Sequence, residues 1–209
     1  MENVKITKEF ADNLMAIKGN IRGGFFIGYF KYVRNLKGDE GVKKIEKKLE
    51  NLGYSIKEKE IKNIEWYAEA LACLMILITV EAFNFQKEDV FQMGKESPKH
   101  SFVVRFLMSH FLTPERSFKE APKYWKENYD FGYLETIGFS QKEKYGIFRI
   151  KNFRKKKYAS RYHPLFCEYQ RGYFLGIAEM AIPAKNLKIE HTKCILNGQD
   201  EEEYKITWE

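Results

Sequence analysis

Apolar and polar positions along the first half of the chain follow a helical period. Val4, Ile6, Phe10, Leu14 and Ile17 predict a short amphipathic arm over residues 4–18, ended by Gly19. Phe26, Phe30 and Val33, then Val42, Ile45 and Leu49, predict two successive helices with Gly38 as the break and Gly53 just past the end. NIEWYAEALACLMILITVEAFN is longer than an ordinary strand, and Asn63 can cap it, so a long buried helix is expected there. QKEDVFQMGKE carries a further helix ending near Gly94. SFVVRFLMSHF and SFKEAPKYWKENYD add two more, the second entered through Thr113 and Pro114 and expected to break at Pro122.

From about residue 131 the period changes to two. GYLETIGFS, KYGIFRIKNF, LKIEHTKCIL and EEYKITW alternate apolar and polar side chains, as half-buried strands do. Between the second and third strands, PLFCEYQRGYFLGIAEMAI is apolar on one face through Phe166, Tyr169, Tyr173, Ile177 and Met180, and reads as a helix lying across the sheet. The expected class is α+β: an N-terminal helical bundle packed on a C-terminal antiparallel sheet with a crossing helix. Residues 1–19 form the arm and 20–209 the domain.

Composition narrows the function. With 209 residues, 44% hydrophobic and only five prolines, the chain should be ordered and fill one core. Between Glu69 and Glu81 about eleven uncharged residues run together, too few to span a bilayer. Three cysteines cannot all pair, and MENVKITKEF lacks the features of a secretory leader, so the cytoplasm is expected. There is no G-x-S-x-G elbow, phosphate loop or H-E-x-x-H helix, so no enzyme and no catalytic residue is expected.

The order of elements, with NIRGGFF opening one helix, EWYAEA opening the apolar one, EDVFQMGKE, and CILNG before the final strand, resembles the 4-vinyl reductase domain family. Relatives of that family are the haem nitric-oxide-binding sensors and the core subunits of the TRAPP tethering particle. The resemblance implies a homodimeric, non-enzymatic sensor or adaptor that holds a small hydrophobic or lipid-like ligand between helices and sheet and acts through a protein partner. Trp66, Tyr67, Leu71, Met75, Met93, Phe106, Phe111 and Trp125 are the expected pocket residues, against the plainer reading that they fill a core. The apolar surplus of residues 4–50 places the expected dimer contact there. Haem carried by His100 or His110 is the further reading that the sensor analogy allows.

The same resemblance bears on the cysteines. In zinc-binding relatives three cysteines and a glutamate ligate the metal; laid on that pattern, Cys167, Glu190 or His191, Cys194 and Glu202 fall at the four positions, with Glu202 standing where a third thiolate would be and Glu190 preferred to His191. Strict alternation through Ile189, His191 and Lys193 sets His191 on the face opposite Cys194 unless a bulge intervenes. Carboxylates are harder ligands than thiolates, so no stoichiometric zinc is expected and the cysteines are expected to pack behind the last strand. Finally, Arg149, Arg154, Lys155, Lys156, Lys157 and Arg161, interleaved with aromatics, carry an alternative function: an accessory protein contacting nucleic acid or another anion.

Overall fold

The computed structural model describes residues 5–100, 104–105, 113–152 and 161–209. Helix α1 (Lys8–Met15) starts at Thr7, whose hydroxyl accepts the Phe10 N–H, and buries Ala11 and Leu14. Strand β1 (Asn20–Arg22) leads into α2 (Gly24–Asn51), two helices joined across Gly38, whose φ of 68° and ψ of −173° only glycine adopts without strain. Strand β2 (Trp66–Ala68) pairs antiparallel with β1, and α3 (Glu69–Phe83) follows directly. The buried helix therefore begins six residues beyond the expected Asn63 cap: Trp66 and Tyr67 are drawn into backbone pairing with Arg22 and Ile21.

Helix α4 (Lys87–His100) runs past Gly94, where a stop was expected. The glycine serves a packing purpose instead. Helix α6 (Leu165–Ala181) presses against α4 so closely that a Cβ on Gly172 would lie 2.0 Å from the Phe91 carbonyl oxygen, and one on Gly94 2.0 Å from that of Tyr169. Gly176 meets the Lys95 carbonyl in the same way, at 2.1 Å. Ion pairs flank the contact: Lys95 to Glu179 at 2.7 Å and Lys87 to Glu168 at 3.0 Å.

Helix α5 (Pro114–Asn128) is capped by Thr113 and continues through Pro122, where a break was expected. A proline leaves the carbonyl four residues earlier without its helical donor. That carbonyl belongs to Phe118, and the Thr136 hydroxyl of the sheet donates to it at 2.5 Å. The break is thereby converted into a tie between helix and sheet.

Strands β3 (Tyr133–Ser140), β4 (Tyr145–Lys151), β5 (Lys188–Lys193) and β6 (Glu201–Thr207) form one antiparallel sheet in the order β3-β4-β6-β5. Its inner face presents Leu134, Phe148, Ile150, Tyr204 and Ile206 to α5 and α6. The α+β class and the crossing helix are as the patterning predicts. The arm is not a separate appendage, since Ile6, Ala11, Leu14 and Ile17 are buried in the same cluster as α2 and α3. Val33, Val42, Ile45 and Leu49 are buried there too, so the apolar surplus that suggests a dimer contact is absorbed within the chain. Among the described residues no helix is long and apolar enough to cross a membrane.

The glycine contact makes a direct prediction. Gly172→Ala is expected to lower stability by about 1–3 kcal/mol or more through overpacking, whereas Lys47→Ala on the exposed side of α2 should stay within about 0.5 kcal/mol. Urea unfolding followed by circular dichroism measures both.

Candidate metal centre and adjoining cavities

Four potential metal donors converge where α6 meets the far edge of the sheet. Cys167 lies in the first turn of α6, His191 on β5, Cys194 just beyond it and Glu202 on β6; their donor atoms all lie within 4.8 Å of one another. The two sulfurs are 3.6 Å apart, and His191 Nε2 is 2.6 Å from Glu202 Oε2. Tetrahedral zinc with Zn–S bonds of ~2.3 Å sets two sulfurs about 3.8 Å apart, so the thiols already stand at that separation. The His191–Glu202 contact is a hydrogen bond, closer than two donors on one metal.

Local structure explains the convergence. His191 pairs with Tyr204 but Lys193 pairs with Glu203, so Thr192 is an extra residue bulging out of β5. The bulge reverses the parity of the residues after it and brings Cys194 to the same side as His191. This corrects the expectation that Glu190 would join the cysteines and His191 would face away: Glu190 is exposed and outside the cluster. His191 is held by its ring stacking on Tyr204 at 4.4 Å. Cys194 is held by its N–H donating to the Gln199 side-chain oxygen at 3.2 Å. Glu202 is fully buried (0% exposed), and Cys167 and Cys194 nearly so. A buried carboxylate needs a compensating charge, which a divalent cation or a protonated His191 supplies.

Two cavities lie along α6. The larger, about 130 Å³, sits between α5, α6 and the sheet and is lined by Phe118, Trp125, Phe148, Tyr173 and Phe174 among others. Phe118 stacks on Phe148 at 4.5 Å, and its ring lies over Gly146, where a Cβ would come within 2.2 Å of it. The smaller, about 60 Å³, reaches inward to Glu69, Cys73 and Gln170 and shares the walls Trp125, Tyr129, Tyr173 and Phe174. Burial pushes the Tyr129 and Tyr173 hydroxyls up.

Of the pocket residues expected from sequence, Trp125 lines both cavities. Trp66 is 41% exposed and lies under the Arg22 guanidinium. The Tyr67 hydroxyl accepts the Lys62 N–H at 2.9 Å, and its ring packs on Phe26. Leu71 packs against the helical core, and Met75 and Met93 are wholly buried in it. Phe106, Phe111 and His110 lie outside the described residues. So do Arg154, Lys155, Lys156 and Lys157 of the basic segment. Its remaining members are engaged within the chain: Arg149 pairs with Glu201 at 3.0 Å and Glu203 at 2.8 Å, and Arg161 donates to the Asn13 carbonyl at 3.4 Å. Phe118, Tyr129 and Phe174 are cavity walls that the sequence reading missed. Their signal is the density of aromatics on elements that face the sheet.

No family model and no curated protein matches the chain. Solved structures do. An H-NOX protein from S. oneidensis in its Fe(II)NO state superposes with a TM-score of 0.64 at 13% identity, over 90% of this chain and 99% of that one. An oxygen-binding H-NOX domain related to soluble guanylate cyclases gives 0.63 at 11% identity, covering 90% and 95%. An H-NOX domain from Shewanella oneidensis in its Fe(II)CO state gives 0.63 at 14% identity, covering 90% and 99%. The fold is therefore H-NOX-like.

These neighbours overturn the expectation of a lipid-like or other hydrophobic ligand, because the solved domains of this shape are iron-ligated gas binders, one of them studied for its haem redox potential. Haem itself does not fit the described residues. The described lining of the larger cavity offers no histidine, cysteine or methionine, the axial ligands that most often hold haem iron. Its half-buried tyrosines Tyr129 and Tyr173 are kept protonated. His100 ends α4, and burial holds its imidazole below the ordinary histidine range.

Proposed function

We propose that the chain is a non-enzymatic small-ligand sensor or adaptor domain in which a zinc ion held by Cys167, His191, Cys194 and Glu202 fixes α6 to the sheet, and that its output passes to a protein partner. The observation that carries this reading is the meeting of four donors from three separated segments in one buried cluster. Two thiolates, an imidazole and a carboxylate in a closed, buried arrangement suit a structural zinc site, which leaves no position open for substrate. The groups around the ligands support it: Gln199 orients Cys194 and Tyr204 backs His191.

The sensor half of the reading is supported by the likeness of fold and by the cavities, which lie on the same helix as the metal ligand Cys167. Gln170, in the wall of the inner cavity, accepts the Tyr204 hydroxyl at 2.9 Å, and the Tyr204 ring stacks on His191. A molecule entering the cavity and shifting α6 would therefore strain the metal centre, and a partner touching the β5–β6 edge would sense it.

Protein purified without chelator and dialysed exhaustively is expected to retain one zinc per chain by elemental analysis. Cys194→Ser and His191→Ala should each lose it, with a fall in melting temperature that added zinc does not restore. A wild-type protein that is zinc-free, and melts at the same temperature with and without zinc, would sink the metal half of the reading. Because thiols and imidazole must shed protons to bind metal, zinc retention should fall as pH is lowered.

A further inference from the structure

The larger cavity has an apolar body and a polar mouth. Phe118, Trp125, Phe148 and Phe174 wall its body, and among the described residues that line it Arg22 is the only charged one. Arg22 ends β1, and the turn after it fixes its place: the Gly23 N–H donates to the Glu65 carbonyl at 2.9 Å and the Gly24 N–H to that of Asn63 at 3.1 Å. A Cβ on Gly23 would lie 2.1 Å from the Lys62 carbonyl oxygen, so the turn admits nothing larger than glycine. The Arg22 guanidinium lies over the Trp66 ring, 3.8 Å from its centroid. Its Nε donates to the Glu127 carbonyl at 3.1 Å, and its Nη1 donates to that of Ile64. The chain neighbours of those two acceptors, Asn128 and Asn63, line the cavity, which sets the guanidinium at its mouth. Among the described residues Arg22 forms no ion pair, and its Nη2 has no partner.

A guanidinium binds carboxylate through charge-assisted hydrogen bonds, and the attraction is stronger beside an apolar chamber than in open water. The space of about 130 Å³ is close to what one aromatic ring needs, since an apolar cavity of about 150 Å³ takes up benzene. Aromatic walls suit a flat ring packed edge-on or offset against them. We propose that the larger cavity is the recognition site for a single-ring aromatic carboxylate, its ring among Phe118, Trp125 and Phe174 and its carboxylate accepting from Arg22 Nη2 and the Asn63 side chain. This rests on the sensor reading above and gives that reading a ligand class. The ligand is a water-soluble anion, distinct from the lipid-like molecule that the comparisons overturn. An ammonium compound of the same size would meet the like charge of Arg22, and a neutral one would gain nothing from it.

The test uses the full-length protein as purified and three single-ring probes, sodium benzoate, benzyl alcohol and benzylammonium chloride, at constant ionic strength. Affinity for so small a probe is expected to be roughly millimolar. Benzoate should raise the melting temperature saturably and give a matching heat in titration calorimetry, while the other two should bind at least tenfold more weakly. Arg22→Gln should bring benzoate down to the level of benzyl alcohol. Lys47→Gln, which removes the same charge from the exposed side of α2, should leave benzoate binding unchanged and so separate the site from a general attraction to a basic chain. Should Arg22→Gln fail to fold, the ranking of the three probes on the wild type decides. Binding of benzyl alcohol or benzylammonium as tight as that of benzoate, or benzoate binding that survives Arg22→Gln, would overturn the carboxylate proposal and leave the sensor reading standing. No binding of any probe would remove both.

Discussion

The contact between α4 and α6 is the constraint on which the rest of the molecule depends. With carbonyl oxygens near 2 Å from where Cβ atoms would sit, nothing larger than hydrogen is tolerated at Gly94, Gly172 or Gly176. Two backbones packed this closely gain dispersion contacts along their whole crossing, and α6 is thereby fixed in position and rotation. Rotation matters because α6 presents three sets of side chains on its remaining faces. Cys167 turns to the edge of the sheet, Gln170 and Tyr173 to the cavities, and Phe174 and Ala178 to the sheet's inner face. A helix free to roll by one side chain would take Cys167 and a cavity wall out of place together.

The same contact shows how a local reading misleads. A glycine after a run of helical residues reads as a stop, and Gly94 invites that reading; its purpose becomes visible only when the partner helix is known. Pro122 is the parallel case. A proline inside a helix leaves a carbonyl without a donor, and whether the helix ends there depends on what else can donate. Thr136 can, and it lies in a strand that only the tertiary fold brings near. Elements with strong internal periodicity were legible: the strands around Phe148 and Tyr204, and the crossing helix itself. Boundaries decided by long-range partners were not.

The metal cluster was partly legible for the same reason. In EEEYKITW strict alternation puts Glu202 on the face with Tyr204, Ile206 and Trp208, and a carboxylate on a core face signals a buried partner. The two cysteines could also be seen from the sequence. That His191 and not Glu190 joins them could not, because its placement turns on a single extra residue, Thr192, and period-two reasoning inverts at a bulge. In the cavities the error ran the other way. Met75 and Met93 looked adaptable enough to touch a ligand, yet both are wholly buried in the helical core, where their side chains meet other core residues and line neither cavity.

Likeness of backbone to the H-NOX structures, at 11–14% identity, constrains shape and leaves chemistry to the side chains. In this chain the place between α5, α6 and the sheet is narrowed by the stack of Phe118 on Phe148 and of Trp125 on Tyr129. The remaining space is room for a small molecule, with described walls that lack the usual ligands for iron. The donors suited to metal stand instead at the far edge of the sheet, where α6 begins. Donor cluster and cavities thus share one helix, the inner cavity beginning at Phe166 and Gln170 beside Cys167. Any signal that joins them must then travel through α6 itself, and α6 is the element that the glycine contact makes rigid enough to carry it.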